Sequence, residues 1–329
     1  MKESLQNSRI WDFISTRRKN RQGKNSTIVS VIIALVVLCA FWSLVTPYFL
    51  TVTNFKNIVQ FVAANGVMAA GLTVTLLTGC MDLSQMPLMA LCGMVVGMLS
   101  QNGISGIALF LIAMGTGAIG GVLNSVNVTI LKIAPFIATL GSQLLFRSIA
   151  FMTTDGVYLT VKDEMIRQIS KGSFLGLPII LWIMAVVYVG FWFLLKYTHY
   201  GRNVYTSGGN PVAAYLSGIS VTKIRFIAYM VSGACCGLAS ILYITQSNVA
   251  LNNAGTGAEM DIMAAVILGG ISLGGGSGSV INTLLGVIML GVIANGMSLL
   301  GIPPYFQILI KGLLLLAAVV LDSFRNRSK

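Results

Sequence analysis

Ten apolar segments joined by short polar connections leave this chain only one kind of folded state. They run from Ile28 to Thr46, Asn57 to Gly79, Gln85 to Ser100, Ile104 to Leu131, Phe136 to Met152, Leu177 to Leu195, Phe226 to Thr245, Ile262 to Leu273, Val280 to Leu299 and Phe306 to Leu321. A bilayer crossing takes about 20 apolar residues, and fewer where the helix is broken or sheltered by protein. In hydrocarbon every backbone N–H and C=O has to be paired within the molecule, so such segments form helices. The expected fold class is all-α, a polytopic membrane protein with about ten transmembrane helices. Hydrophobic residues make up 56% of the chain and charged residues 9%, which removes the soluble globular classes.

A net charge of +12 raises the question of nucleic acid, but the basic residues gather at the two ends and in one central loop. No basic and aromatic groove can be drawn from them, so nucleic acid is excluded as a partner and the charge is read as anchoring against membrane lipid. With the amino end placed in the cytoplasm, the inner connections hold seven Lys and Arg in the arm, then Lys132, then Lys196, Arg202, Lys223 and Arg225, then Arg325, Arg327 and Lys329. The outer connections hold Lys56, Lys162, Arg167 and Lys171. That asymmetry predicts both termini inside. The expected organisation is a basic cytoplasmic arm over 1–27, a transmembrane domain over 28–322 with a cytoplasmic loop at 196–225, and a basic tail over 323–329. The arm is followed by a run long enough to span and without a small-residue cleavage site, so it does not read as a cleavable signal. Cys39, Cys80, Cys92, Cys235 and Cys236 all fall in apolar segments and are read as packing residues, not a disulfide framework.

Two segments, Gln85 to Ser100 and Ile262 to Leu273, are short for ordinary spans, and each follows an acidic tripeptide, Met81-Asp82-Leu83 or Met260-Asp261-Ile262. The string from Gly121 to Ser125, with Pro135 after it, is echoed by Gly291 to Gly296 with Pro303 after it. The echoes face opposite sides of the membrane in this topology, the arrangement of an inverted repeat with interrupted helices about a central site. Intramembrane polar groups must be paired or face water. Asp82 either caps the following helix or lines a pathway; Glu259 and Asp261 invite the same two readings. Asn124, Thr139 and Asn295 complete the candidate pathway set, and Gln60, Asn65, Asn127, Gln143 and Ser298 offer further neutral groups. Such groups suit hydroxyl-rich cargo or serve as glue between helices. Arg147 and Lys311 are expected to snorkel or to pair with an acid.

The loop between the sixth and seventh segments carries a short, fully punctuated helix from Asn210 to Ile219. Asn210 suits an N-cap, Pro211 the first helical position, and Gly218 the left-handed residue that ends a helix. Val212, Tyr215 and Leu216 share one face, while Ala213, Ala214 and Ser217 are small enough for close approach. With Gly208 and Gly209 before it, this reads as a knob that docks into a soluble partner. Other signals dissolve on inspection. The glycines from Gly269 to Gly278 are followed by no Lys-Ser or Lys-Thr, so they are not a phosphate loop. His199 sits at the end of a span as an interfacial residue. No catalytic triad or metal-ligand spacing occurs, so this chain is not expected to be an enzyme or to bind a metal.

The string Thr78 to Ser84, with Pro135 to Gly141, Gly201-Arg202-Asn203, Gly208-Gly209-Asn210, Ser217-Gly218-Ile219 and Ala264 to Gly270, resembles the permease subunit of ribose-type ATP-binding-cassette importers. The resemblance covers about Tyr48 to Asp322. Cys80 and Met81 depart from the small and branched apolar residues often found there, which bears on cargo more than on family. The resemblance implies a bacterial plasma (inner) membrane location and a homodimer, or a heterodimer with a similar permease. It further implies a cytoplasmic ATP-binding subunit carrying ATP and Mg, and a periplasmic or lipid-anchored sugar-binding protein. In that scheme a monosaccharide or related polyol moves inward and Asn210 to Ile219 is the coupling helix. The alternative is an ion-coupled secondary transporter, which would use buried acids such as Asp82 and Asp261.

Overall fold

In a computed structural model describing residue 29 and residues 31–327, each of the ten expected segments contains a helix. In chain order the elements are α1 (Val31–Val45), α2 (Val52–Leu77), α3 (Gln85–Gln101), α4 (Ile107–Ser125), α5 (Pro135–Met152), α6 (Glu164–Lys171) and α7 (Ile179–Tyr197). They continue with α8 (His199–Gly209), α9 (Pro211–Leu216), α10 (Val221–Ile244), α11 (Glu259–Leu268), α12 (Val280–Leu299) and α13 (Pro304–Arg327). The fold is all-α and polytopic, with six helices among the described residues long and apolar enough to cross a membrane. The basic arm 1–27 and the last two residues lie outside the described residues.

α4 runs on through a π-helical turn, Val126–Ile130, whose wider winding ends at Lys132 with φ of 57°. Two small antiparallel pairs, Leu159–Thr160 with Val249–Ala250 and Ser173–Phe174 with Leu177–Pro178, tie down connections at one end. The short α3 matches its sequence limits, whereas α11 is shorter still at ten residues and leaves Gly269 to Ser279 as a loop.

α2, α10 and α12 form the centre. In α2, 78% of the most apolar window is buried, against 28% in α5 and α7. The peripheral helices turn Leu111, Leu144, Val186 and Val189 outward, an apolar surface that suits lipid and not water. The tightest crossing joins α4 to α10. A Cβ at Gly117 would meet the Gly233 carbonyl, one at Gly121 the Tyr229 carbonyl, and one at Gly237 the Ala113 carbonyl. Two small-x-x-x-small faces therefore bring backbone onto backbone, the contact that drives helix association where the solvent is itself apolar.

Neighbour relations repeat across the chain. α2 packs on α12 and α10 on α4; α3 lies against α4, α5 and α10, and α11 against α12, α13 and α2. The C-terminal end of α2 meets the start of α10, since Arg225 donates to the Thr78 carbonyl at 3.4 Å. Taking α2–α5 and α10–α13 as the two echoing units, their first helices, α2 and α10, thus run in opposite directions, the relation an inverted repeat requires.

Candidate functional site

Polar side chains concentrate at the two ends of the bundle. At one end Asp82 begins α3. Its Oδ1 accepts from the Ser84 backbone N–H at 3.0 Å and from the Ser84 hydroxyl at 2.7 Å. Asn124, from α4, donates to Ser84 Oγ at 2.7 Å, and Ser232, from α10, reaches Asp82 Oδ2 at 3.5 Å. Gln85 then donates to Ser232 Oγ at 2.9 Å. Asp82 is 3% exposed. The arrangement is an Asx turn that satisfies an orphan donor at the helix start while stitching α3 to α4 and α10.

This geometry separates the two roles of Asp82 by experiment. Asp82→Asn keeps an oxygen for the Ser84 N–H and is expected to retain near-normal thermal stability and uptake, whereas Asp82→Ala should lose about 1 kcal/mol. A stable but transport-dead Asp82→Asn would instead put the carboxylate on the cargo path.

At the opposite end α11 opens with Glu259 and Asp261. Arg147 from α5 sits 3.6 Å from Glu259 and donates to the Asn252 and Ala254 carbonyls at 3.0 and 2.8 Å. Lys311 from α13 bonds Asp261 at 2.5 Å, both side chains largely buried. Both basic residues therefore pair with acids. Asn295 exchanges two hydrogen bonds with Asn54, at 2.9 and 2.7 Å, joining α12 to α2. Thr139 is buried, its hydroxyl returned to the Pro135 carbonyl of its own helix. The six candidate pathway residues do not converge on one site. Asp82 and Asn124 share a network, Glu259 and Asp261 share a helix turn, and Thr139 and Asn295 stand apart, each held by internal partners. Glu259 and Asp261 each face a basic partner, whereas Asp82 is held by neutral hydrogen-bond donors.

The third cluster is the connection that follows α7. α9 forms as its punctuation predicts: Asn210 Oδ1 accepts from the Ala213 N–H at 3.0 Å, Pro211 is first, and Gly218 takes φ of 80°. Val212, Tyr215 and Leu216 stand 69, 73 and 79% exposed, although the knob lies beyond the apolar spans. Val212 and Tyr215 border an open groove of about 620 Å³ shared with Ile219, Val221 and Thr222. Gly209, Asn210, Pro211, Ala213, Ser217 and Gly218 are also at the surface. Two residues expected on the docking face are not there. Ala214 is fully buried beneath α9, and Gly208 is sealed against other backbone, so their small size serves packing within this chain.

Sequence reasoning passed over Ser232 and Gln85, which extend the Asp82 network beyond Ser84, and the glycines of the α4–α10 crossing. For the glycines a signal existed, the four-residue spacing of Gly117 with Gly121 and of Gly233 with Gly237. Among the described residues no three His, Cys, Asp or Glu side chains are grouped to hold a metal ion.

An all-helical bundle with apolar outward flanks and one exposed knob defines a multi-pass membrane protein. The chain belongs to the family described as the permease component of the branched-chain amino acid transport system, whose model matches residues 54–319. It is 38% identical to the ribose import permease protein RbsC of Escherichia coli K12 over 296 residues, covering 89% of this chain and 92% of that one. The same protein of Bacillus subtilis is 36% identical over 292 residues, covering 88% of this chain and 91% of its own. The L-arabinose ABC transporter permease protein AraH of Azospirillum brasilense is 32% identical over 323 residues, covering 97% and 91%. No solved structure matches the chain. As a permease component it is a multi-pass inner-membrane transport subunit, and the ATPase of such a system resides on a partner.

Proposed function

We propose that this chain forms the path by which a monosaccharide or related polyol enters the cell, driven by ATP hydrolysed on a cytoplasmic partner. The observation that carries the reading is similarity to sugar permeases along nine-tenths of both chains. Although the family description speaks of branched-chain amino acids, the curated relatives named here carry ribose and arabinose in their names. In this reading α9 is the coupling helix, with Val212, Tyr215 and Leu216 as its anchors and Asn210, Pro211 and Gly218 holding its shape. A second permease copy completes the pore, a sugar-binding protein delivers cargo at the opposite end, and ATP and Mg sit on the partner.

The experiment is uptake of radiolabelled D-ribose and L-arabinose into proteoliposomes with and without the ATP-binding subunit and sugar-binding protein. ATP-dependent uptake requiring both is expected; uptake driven by an ion gradient in this chain alone would overturn the reading. The end bearing α9 is assigned to the cytoplasm from the excess of Lys and Arg there, which also places both termini inside. In a cysteine-free background, an impermeant thiol reagent applied to intact cells is expected to label a cysteine at position 162 and not one at 202. The reverse pattern would invert the orientation.

A further inference from the structure

We propose that a backbone joint of Gly79, Gly208, Gly275 and Gly276 transmits movement of α9 to both short helices, α3 and α11, at once. The inference rests on the reading of α9 as the coupling helix. Three chain segments meet there without a side chain between them: the end of α2, the end of α8 and the loop between α11 and α12. Gly276 donates its N–H to the Leu77 carbonyl at 2.9 Å, one of the carbonyls α2 leaves open at its end. A Cβ at Gly208 would overlap that same Leu77 carbonyl and come within 2.7 Å of the Gly276 nitrogen. One at Gly275 would sit 2.7 Å from the Gly79 nitrogen. Gly275 and Gly276 also take φ of 84 and 70°, which a side chain would strain.

Hydrogen bonds pin the same loops to the elements flanking α9. Tyr205 of α8 donates to the Gly278 carbonyl at 3.1 Å, and Tyr229 of α10 to the Met81 carbonyl at 2.8 Å. Backbone packed on backbone has no rotamers to absorb a displacement, so it passes a shift on with little slack. From Gly79 the chain leads through Asp82 to the start of α3. From Gly275 it leads back to the end of α11. A push on α9, continuous with α8 through Asn210, therefore reaches the corresponding short helix of each repeat through one contact.

The test is the ratio of sugar taken up to ATP hydrolysed, measured in proteoliposomes of the full complex with D-ribose and L-arabinose as probes. Gly276→Ala and Gly208→Ala are expected to co-purify with the ATP-binding subunit and hydrolyse ATP, with the ratio down by roughly tenfold or more. Gly274→Ala, in the same loop but with its nearest neighbour at 3.7 Å, should match the wild type. Tyr205→Phe removes a pin and adds no bulk, and a several-fold fall is expected even if the glycine variants fail to fold. A normal ratio in both Gly276→Ala and Tyr205→Phe, or an equal loss in Gly274→Ala, overturns the joint. Absence of ATP-driven uptake by the wild-type complex would instead bring down the functional reading, and the joint with it.

Discussion

Truncating Tyr215 and Leu216 together to alanine is expected to abolish ATP-driven uptake while leaving the bundle as stable as before. The two side chains are 73 and 79% exposed on a helix outside the apolar spans, so their loss removes little internal packing. Surface changes of that kind shift stability by only about 0.5 kcal/mol. At an interface the same residues act as anchors, worth about 2 kcal/mol or more each, so the pair should weaken docking of the ATP-binding subunit by roughly a thousandfold. Co-purification and uptake measure the loss, and thermal unfolding in detergent measures the fold. Wild-type uptake by the double variant would remove α9 from the coupling surface. A bulky residue at position 214 is a poorer probe, because Ala214 faces inward and its replacement would unseat α9 itself.

Lys311→Met is the second large effect. It strands the Asp261 carboxylate in a largely buried setting at the start of α11. Removing one member of a buried pair costs about 3–5 kcal/mol, most of it the penalty of the charge left behind. Lys311→Met combined with Asp261→Leu is expected to recover most of that loss, since apolar replacement of a whole pair is often neutral. Thermal unfolding of the two variants decides the matter. A single variant within 1 kcal/mol of wild type, the order of a surface pair, would show that Asp261 reaches water.

What could be read from the residues was whatever depends on local chemistry. The ten helices follow from segment length and the demand that hydrocarbon makes on the backbone, and α9 follows from Asn210, Pro211 and Gly218, each acting within a turn. α8 was not legible as a helix, because His199 to Gly209 has three glycines and no apolar period of its own. It forms where Tyr200 and Tyr205 reach back to Ile224 and Gly278. Pairing was legible only in kind. That Arg147 and Lys311 need acids follows from the cost of burying charge, but which acid each takes depends on how α5 and α13 close on α11. For the same reason the pathway candidates scatter: Asn295 finds Asn54, 241 positions away, a choice made by the packing of α12 on α2.

The pairing of intramembrane charge has an electrical meaning as well. Moving one elementary charge through the full membrane field is worth about 2.3 kcal/mol per 100 mV. Lys311 and Asp261, in contact at 2.5 Å, would travel as a dipole, as would Arg147 with Glu259. If the halves rock with these pairs intact, the pairs themselves carry almost no net charge through the field, and whatever the membrane voltage does to the stroke falls on Asp82, which neutral donors hold.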